Sequence, residues 1–425
     1  MSLPTGWIER TLGEVCEVNP VLGLALDDSS EVSFVPMAAV EEETGRLDPS
    51  QVKSFRDLRG KSYRPFMEGD VLVAKITPSM ENGKGAVASH LRGGVGFGST
   101  EFHILRPRKG VEPWYILRFI LQPRFRQGAA RAMTGTAGQL RVPARFLRDA
   151  RIPLPPPEVQ RRIVEAIEEQ FSRLDAAEAS LVHNQVRLDR YMRLLIHCEL
   201  QGNWPMGKWG EVGGSQNGRA FPSKDYRDDG IPLLRPGNLH RSGAVEWTDL
   251  NTRRLPETYA EEYPAYVVGP RELVMNLTAQ SLKDEFLGRI CITGDDDRCL
   301  LNQRIARLTP SDELDPKFAF WVFKSPTFRQ FVESLNTGSL IQHMFTSQLA
   351  AFEMPLPPLA EQVRIVERIE QHASVAAAVG VAIVSTRRRL VAMRRAILRD
   401  AFAGRLVSPD TSDESVSKRV QTVGT

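Results

Sequence analysis

A Pro-rich segment followed by an amphipathic run occurs twice in this chain, and this repeat limits the folds that the chain can adopt. The first copy, "IPLPPPEVQRRIVEAIE", covers residues 152–168, and the second, "MPLPPLAEQVRIVERIE", covers residues 354–370. At an offset of 202, eleven of the 17 positions are identical: Pro153, Leu154, Pro155, Pro156, Gln160, Arg162, Ile163, Val164, Glu165, Ile167 and Glu168. An internal repeat at this interval indicates one structural unit used twice.

Weaker echoes keep the same order upstream of both copies, such as "GDVLVAKIT" (69–77) and "GPRELVMNLT" (269–278). Short β-like runs at 71–76, 101–105, 272–277 and 304–308 precede two proline-opened helices near 113–133 and 316–336. The predicted organisation is an α/β domain at 1–155, a helix at 156–201, a second α/β domain at 202–357, a helix at 358–405 and a disordered tail at 406–425.

The two long helical runs carry an apolar repeat of seven in the same phase. In the first run the repeated positions are Ile167, Leu174, Leu181, Leu188 and Leu195, and in the second they are Ile369, Ala376, Ile383, Leu390 and Ile397. A sustained repeat of seven is typical of a coiled-coil seam. Because a whole domain separates the runs, we expect an antiparallel pair, in an α+β chain with a pseudo-twofold internal repeat. The alternative is two unrelated helices in two ordinary cores.

The bulk composition favours a soluble protein and leaves the partner open. The 425 residues are 42% hydrophobic and 25% charged, with a formal net charge of only +3. The four cysteines have no CxxC spacing, which is typical of reduced thiols in a cytosolic protein. The N-terminus has no apolar core typical of a signal peptide, and no run approaches ~18 apolar residues. We therefore expect a cytoplasmic protein that does not cross a membrane.

The catalytic motifs that we sought are missing or incomplete. "GNWPMGKW" (202–209) has the outline of a phosphate-binding loop, but Trp209 stands where Ser or Thr should hold magnesium. Neither the tetrapeptide of amino-methyltransferases nor a nuclease core is present. The seven histidines lack metal-ligand spacing, and "GDDDRC" (294–299) is typical of a solvated turn. We therefore expect no catalytic residues, no metal and no cofactor in this chain.

Basic, amide and hydroxyl residues gather around Gly-rich turns in both halves, which favours binding to nucleic acid. The stretch 124–148 contains six arginines and no acid. Phosphates attract Lys, Arg and hydroxyl groups, whereas Arg, Asn and Gln can read base edges. The predicted DNA contacts are Lys75, Thr77, Asn82, Lys84, Arg131, Gln139, Arg141 and Arg145 in the first half, and Arg235, Asn238, Arg241, Asn276, Lys283, Gln342 and His343 in the second.

The layout resembles the specificity subunit of type I restriction-modification enzymes over residues 1 to 405. The motifs that carry the resemblance are "LPTGW", "GDVLVAKITPSMENGKGAV", "TGTAGQLRVPARFLRDARIPLPPPEVQRRIV", "IPLLRPGNL" and "MPLPPLAEQVRIV". The resemblance implies two target recognition domains that each read half of a split DNA site. It also implies an antiparallel coiled coil that spaces them and docks two methyltransferase subunits. S-adenosylmethionine, ATP and magnesium would act in those partners and in restriction subunits.

The resemblance also implies a partner contact at the Glu361-Gln362 pair of the second joint. The first joint departs from this pattern, because Val159 precedes Gln160 there and Glu158 lies one place earlier. Two other functions stay open on the sequence. One is a scaffold that pairs methyltransferases without its own sequence specificity, and the other is a stand-alone methyltransferase or nuclease.

Overall fold

The computed structural model describes residues 3–23, 25–136, 138–282, 285–335 and 342–407. The chain divides into two compact units, of which the first is Met1–Leu181 with Ser385–Thr425 and the second is Val182–Val384. Both divisions fall inside the two long helices, so each unit contains a part of each helix.

The strands of the first unit are β1 (Ile8–Thr11), β2 (Cys16–Val18), β3 (Glu31–Val35), β4 (Val52–Ser54), β5 (Arg64–Met67), β6 (Val71–Ala74), β7 (Gly85–Val87), β8 (Val95–Gly98), β9 (Phe102–Pro107) and β10 (Arg151–Leu154). Its helices are α1 (Leu12–Val15), α2 (Phe55–Leu58), α3 (Pro113–Ile120), α4 (Pro123–Arg131), α5 (Ala144–Asp149) and the first part of α6 (Pro157–Glu199).

Two four-stranded sheets form the centre of the first unit, in the orders β2-β9-β6-β7 and β4-β3-β8-β5. The first sheet is antiparallel, and in the second the β3–β8 pair is parallel. Every residue of β6 is buried because both faces of its sheet are covered. Val71 and Val73 face the cluster that contains α3, while Leu72 and Ala74 face a separate core, as the two-residue period of a strand requires.

The strands of the second unit are β11 (Met206–Lys208), β12 (Gly213–Asn217), β13 (Ile231–Leu234), β14 (Arg254–Leu255), β15 (Val267–Val268), β16 (Leu273–Asn276), β17 (Thr278–Ala279), β18 (Ile290–Ile292), β19 (Cys299–Leu301), β20 (Ile305–Pro310), β21 (Gln342–His343) and β22 (Glu353–Pro355). Its helices are α7 (Trp209–Val212), α8 (Thr258–Glu262), α9 (Pro316–Phe323), α10 (Pro326–Ser334), α11 (Thr346–Ala350), the last part of α6 and the first part of α12 (Leu359–Phe402). The last part of α12 belongs to the first unit.

The second unit repeats the sheets of the first. Its four-stranded sheets have the orders β12-β20-β16-β18 and β14-β13-β19-β15, and the β13–β19 pair is parallel. A two-stranded antiparallel pair ties the first strand of each unit to its joint, β1 with β10 and β11 with β22. Leu273 and Met275 face one core and Val274 another, as in β6. The duplication predicted from the sequence is therefore present in the topology.

Prolines set the boundaries of the paired helices before each joint. Pro113 and Pro123 occupy the first turns of α3 and α4, and Pro316 and Pro326 do so in α9 and α10. Proline lacks the N–H that a helix interior needs but fits the first turn, so each second proline starts a new helix.

The predicted seam lies along the covered side of both long helices. Five of its positions are buried, namely Ile167, Leu174, Ile369, Ile383 and Leu390. The other five are half-buried, namely Leu181, Leu188, Leu195, Ala376 and Ile397. Full burial of a leucine or isoleucine side chain contributes about 1.5–3 kcal/mol, so the repeat of seven is a principal source of stability for this pairing.

Cross-helix contacts within each unit give the direction of the pair. In the first unit Asp175 pairs with Arg394, and Glu178 lies 3.3 Å from Arg387. In the second unit Tyr191 Oη lies 2.7 Å from His372 Nδ1. Glu199 Oε2 there accepts a hydrogen bond from Arg368 Nε at 2.6 Å. Residues of increasing number on α6 contact residues of decreasing number on α12, so the helices are antiparallel as predicted.

The segment after α12 differs from the prediction of a tail starting at 406. Leu406 and Val407 are half-buried and pack against the core of the first unit. The remainder of the predicted tail, 408–425, lies outside the described residues.

Candidate nucleic-acid interface

Three separate segments of the first unit meet just beyond the carboxyl end of β6. The backbone N–H of Lys75 donates to the carbonyl oxygen of Glu101 at 2.9 Å, and the N–H of Val142 donates to the carbonyl oxygen of Lys75 at 2.8 Å. These bonds place Lys75, Glu101 and Arg141 side by side, and we call these three residues the first cradle. Lys75 and Arg141 were predicted contacts, whereas Glu101 was not.

The side chains of the first cradle form one ion-paired group. Arg141 donates from Nε and Nη2 to the two carboxylate oxygens of Glu101, each at 2.9 Å, and from Nη1 to the carbonyl oxygen of Gln139 at 3.0 Å. Lys75 Nζ lies 4.0 Å from the same carboxylate. The hydrogen bonds from Arg141 hold the pKa of Glu101 below its ordinary value. Burial lowers the pKa of Lys75. The cradle therefore carries two cations around one carboxylate.

The second unit builds the same backbone arrangement with different side chains. The N–H of Leu277 donates to the carbonyl oxygen of Arg304 at 2.9 Å, and the N–H of Met344 donates to that of Leu277 at 3.0 Å. Leu277, Arg304 and His343 are therefore equivalent to Lys75, Glu101 and Arg141, and we call them the second cradle. The ring of His343 lies 4.6 Å from that of Phe345. The sequence predicted His343 but missed Arg304.

The predicted residues of loop 76–84 make internal hydrogen bonds. Thr77 Oγ1 donates to Glu81 at 2.7 Å, and Asn82 Nδ2 donates to Glu42 at 3.0 Å. Lys84 Nζ donates to the carbonyl oxygen of residue 37 at 3.3 Å. The last two bonds fasten the loop to the neighbouring segment 37–43, and contact of the three side chains with DNA stays a prediction.

The other predicted residues of the first half lie on the surface. Arg131 is exposed at the end of α4 and has no ion pair among the described residues. Arg145 is exposed and lies 3.3 Å from Asp149, its neighbour one turn later. Gln139 is exposed beside the first cradle. Their accessibility is compatible with phosphate contact, which stays a prediction.

Two predicted contacts of the second half are wrong because their side chains are buried. Asn238 accepts a hydrogen bond from the N–H of Arg235 at 2.9 Å and donates to the carbonyl oxygen of Glu246 at 3.2 Å. Asn276 donates to the carbonyl oxygen of Phe286 at 2.9 Å. Buried amides that satisfy backbone groups in this way stabilise loops and do not face a ligand.

The remaining predicted residues of the second half occupy three places. Arg235 is half-buried, with its guanidinium 5.9 Å from the ring of Tyr226. Arg241 is exposed in loop 239–244. Gln342 is half-buried in β21, next to His343 in the second cradle, and Lys283 lies outside the described residues.

Loop 239–244 is fastened by a half-buried lysine that the sequence did not single out. Lys324 Nζ donates to the carbonyl oxygen of Ser242 at 2.7 Å. The thiol of Cys291 donates to the carbonyl oxygen of His240 at 3.4 Å. Burial lowers the pKa of Lys324 to about 8. Arg241 therefore projects from a loop with fixed anchors on both sides.

The glutamine of each joint ties a long helix to the domain before it. Gln160 Oε1 accepts from the N–H of Glu112 at 2.9 Å, and its Nε2 donates to the carbonyl oxygens of Gly110 and Pro155 at 3.3 and 2.8 Å. Gln362 makes the same three bonds, to Asp315, Glu313 and Pro357, at 2.8, 3.0 and 2.8 Å. Both glutamines are 1% exposed.

This burial corrects the prediction of a partner contact at Gln362, because its side chain offers no surface. Glu361 differs, since it is half-buried and lies 3.3 Å from Arg364 and 3.6 Å from Arg368 on the helix surface. In the first joint the exposed Glu158 pairs with Arg161 at 2.8 Å. The replacement of Glu by Val159 thus leaves the internal tie at Gln160 intact.

The described residues offer no sign of metal chemistry. None of their His, Cys, Asp and Glu side chains form a group of three or more that could hold a metal ion. Cys16, Cys291 and Cys299 are buried, and burial raises the pKa of each thiol to about 12. In the same residues, no helix has an apolar stretch long enough to cross a membrane.

Comparison with known proteins agrees with this arrangement. A sequence model described as the type I restriction modification DNA specificity domain matches residues 201–378. The EcoAI specificity subunit of Escherichia coli is 24% identical over 465 residues, covering 87% of this chain and 78% of that protein. The EcoEI specificity subunit of the same species is 40% identical over 163 residues, which cover 38% of this chain and 27% of that protein.

Residues 201–378 therefore belong to the family of type I restriction modification DNA specificity domains. The fold agrees with two solved structures. A chain from a type I restriction-modification complex has a TM-score of 0.76 at 23% identity, with 95% of this chain and 100% of that chain covered. The HsdS subunit of Thermoanaerobacter tengcongensis has a TM-score of 0.56 at 22% identity, with 95% of this chain and 98% of that chain covered.

A specificity subunit is the non-catalytic, sequence-recognising component of its restriction enzyme. The matched region of this chain lies wholly in its second unit. The first unit repeats the strand orders of that region, as described above.

Proposed function

We propose that the chain is the specificity subunit of a type I restriction-modification enzyme and that each unit reads one half of a bipartite DNA site. In this proposal the recognition domains are residues 1–155 and 202–357, and the helices at 156–201 and 358–405 are the spacer. The observation that carries the proposal is the repeated cradle, where one backbone arrangement holds different side chains in the two units. Two copies of a fold with different contact residues are suited to two different half-sites.

The rigid ties at the joints support the spacer role. Gln160 and Gln362 each connect a helix start to its domain through three hydrogen bonds. A second tie joins Arg118 of α3 to Glu168 of α6 at 2.5 Å, and Lys317 to Glu370 of α12 at 3.0 Å. Such ties favour a fixed gap between half-sites on one face of the duplex, roughly one helical turn or ~34 Å apart.

Exposed apolar side chains on the long helices support docking of partner subunits. On α6 they are Val182, Val186, Tyr191 and Leu194, and on α12 they are Val375, Val379, Val381 and Val384. A group of exposed apolar side chains on helices marks an interaction surface. In the proposed complex two methyltransferase subunits occupy it and supply S-adenosylmethionine chemistry, while restriction subunits supply ATP- and magnesium-dependent cleavage, all in the cytoplasm.

The test is to express this chain with its cognate methyltransferase and to map the methylated adenines across a genome. The expected result is a motif of two short defined blocks separated by a spacer of constant length. Methylation without sequence preference would instead favour a scaffold that only pairs methyltransferases. Methylation by the isolated chain would overturn both proposals.

A further inference from the structure

We propose that the two cradles are the equivalent base-reading positions of the two units, and that Glu101 positions Arg141 to read a guanine. This inference rests on the proposed function and makes it specific to named residues. It adds Glu101 and Arg304 to the recognition surface, and it assigns different chemistry to the two half-sites.

The equivalence of the cradles follows from backbone bonds rather than from sequence similarity. In both units the first residue after a buried strand donates to a residue just before the neighbouring strand, at 2.9 Å. Its carbonyl oxygen accepts from the residue after the third cradle position, at 2.8 Å in one unit and 3.0 Å in the other. The scaffold is thus the same, and the side chains that start from it differ in charge.

Glu101 and Gln139 hold the Arg141 side chain in a fixed orientation and leave some of its N–H donors free. Three of the five N–H donors of its guanidinium are used, two by Glu101 and one by the carbonyl oxygen of Gln139. Two N–H donors therefore stay available. The Arg141 side chain is 39% exposed and that of Glu101 only 24%, so the arginine is the more accessible partner.

The negative charge of Glu101 favours a neutral base over a phosphate as the acceptor for Arg141. A phosphate placed at the free N–H groups of Arg141 would carry a negative charge close to that of Glu101, which weakens its attraction to the two cations of the cradle. A guanine edge offers O6 and N7, which are neutral acceptors suited to two N–H donors of arginine. Lys75, 4.0 Å from the carboxylate, offsets part of its charge.

The second cradle has the opposite charge at the position of Glu101. Arg304 is exposed, and no carboxylate among the described residues lies within ion-pair distance of it. Leu277 replaces Lys75 and is buried, so Arg304 and His343 are the polar groups of this cradle. An arginine without a carboxylate partner and an imidazole offer a different set of donors and acceptors from those of the first cradle, so the second half-site should differ in sequence at the matched position.

The experiment compares base preferences of the intact complex with its methyltransferase, using a DNA library in which each half-site position is varied. The variants are Glu101→Gln, Arg141→Gln and Arg141→Lys, with His343→Gln as the matched change in the other unit. Arg141→Gln should lower the preference for guanine at one position of one half-site about 5- to 150-fold, the range given by a bidentate arginine contact. The other half-site should be unchanged and serves as the internal control for folding.

Arg141→Lys separates reading from simple attraction, because lysine keeps the charge without a planar pair of donors. It should retain binding while losing the guanine preference, and Glu101→Gln should weaken the preference without abolishing binding. His343→Gln should alter only the other half-site.

A uniform fall in binding with unchanged base preference would show a phosphate contact and overturn the inference. An unaltered motif in all variants would also overturn the inference. In that case a bipartite motif from the unmodified complex would still support the proposed function. Failure of the proposed function itself would appear separately, as the lack of a bipartite motif in the unmodified complex.

Discussion

Replacement of Gln160 by leucine removes a buried tie without a large change in side-chain volume. Three hydrogen bonds are lost, and the N–H of Glu112 and the carbonyl oxygens of Gly110 and Pro155 lose this partner. Each bond contributes about 0.5–1.5 kcal/mol net, and a buried group left unpaired costs about 1–3 kcal/mol. The apolar gain of leucine offsets a part of this loss, so the free energy of unfolding should fall by about 3 kcal/mol.

The assay is thermal unfolding of the full chain combined with amide hydrogen exchange. For a unit of roughly 200 residues, a loss of about 3 kcal/mol lowers Tm by about 6 to 12 °C. Faster exchange should be confined to the first unit, around 110–121 and the start of α6. Gln362→Leu should give the same loss with faster exchange around 313–323 instead.

Glu158→Ala is the matched control, since Glu158 is exposed in the same turn and its ion pair with Arg161 should change the free energy of unfolding by less than about 0.5 kcal/mol. A Gln160→Leu variant that unfolds within about 0.5 kcal/mol of the parent would refute the reasoning, because it would mean that water replaces all three bonds without cost.

Three further predictions concern the loop anchor, the seam and the docking surface. The folded-state pKa of Lys324 is about 8 against an ordinary 10.5, so the unfolded chain holds more protons between these values. Stability should therefore rise from pH 8 to 10.5 by up to about 3 kcal/mol, and urea unfolding of Lys324→Met should show no such rise. Leu181→Asn with Leu188→Asn should lower Tm and abolish the constant spacer in the methylation motif; unchanged sites would contradict the spacer role. Val379→Asp should weaken co-purification of the methyltransferase at least tenfold, whereas Val21→Asp, at a 96% exposed position outside the helices, should not.

The doubled fold could be predicted because its signals are local. Proline placement and the repeat of seven depend on residues within one helix, and Ile167 and Ile369 are buried where the repeat places them. The same proline rule predicted the break before Pro123, where α4 begins. Periodicity of this kind is read along the chain, so it needs no knowledge of tertiary contacts.

The candidate site was less predictable because its chemistry depends on distant partners. Arg141 lies 40 residues from Glu101, and Gln160 lies 48 residues from Glu112. Asn276 lies near the end of a predicted β-like run, where its amide suggested an exposed contact, but strand pairing buries it. Composition indicates that a segment is basic or rich in amides, whereas only the fold decides which of those side chains are used internally.

The division of the antiparallel helices between the units also sets an order of events during synthesis. The second unit uses the continuous stretch Val182–Val384, so it is complete before the end of α12 has been translated. The first unit needs Phe402, whose ring lies 4.8 Å from that of Tyr115 and 5.4 Å from that of Phe119. The first unit therefore leaves the ribosome first but is completed last. The apolar surface that Phe402 covers stays exposed until the end of α12 has been synthesised.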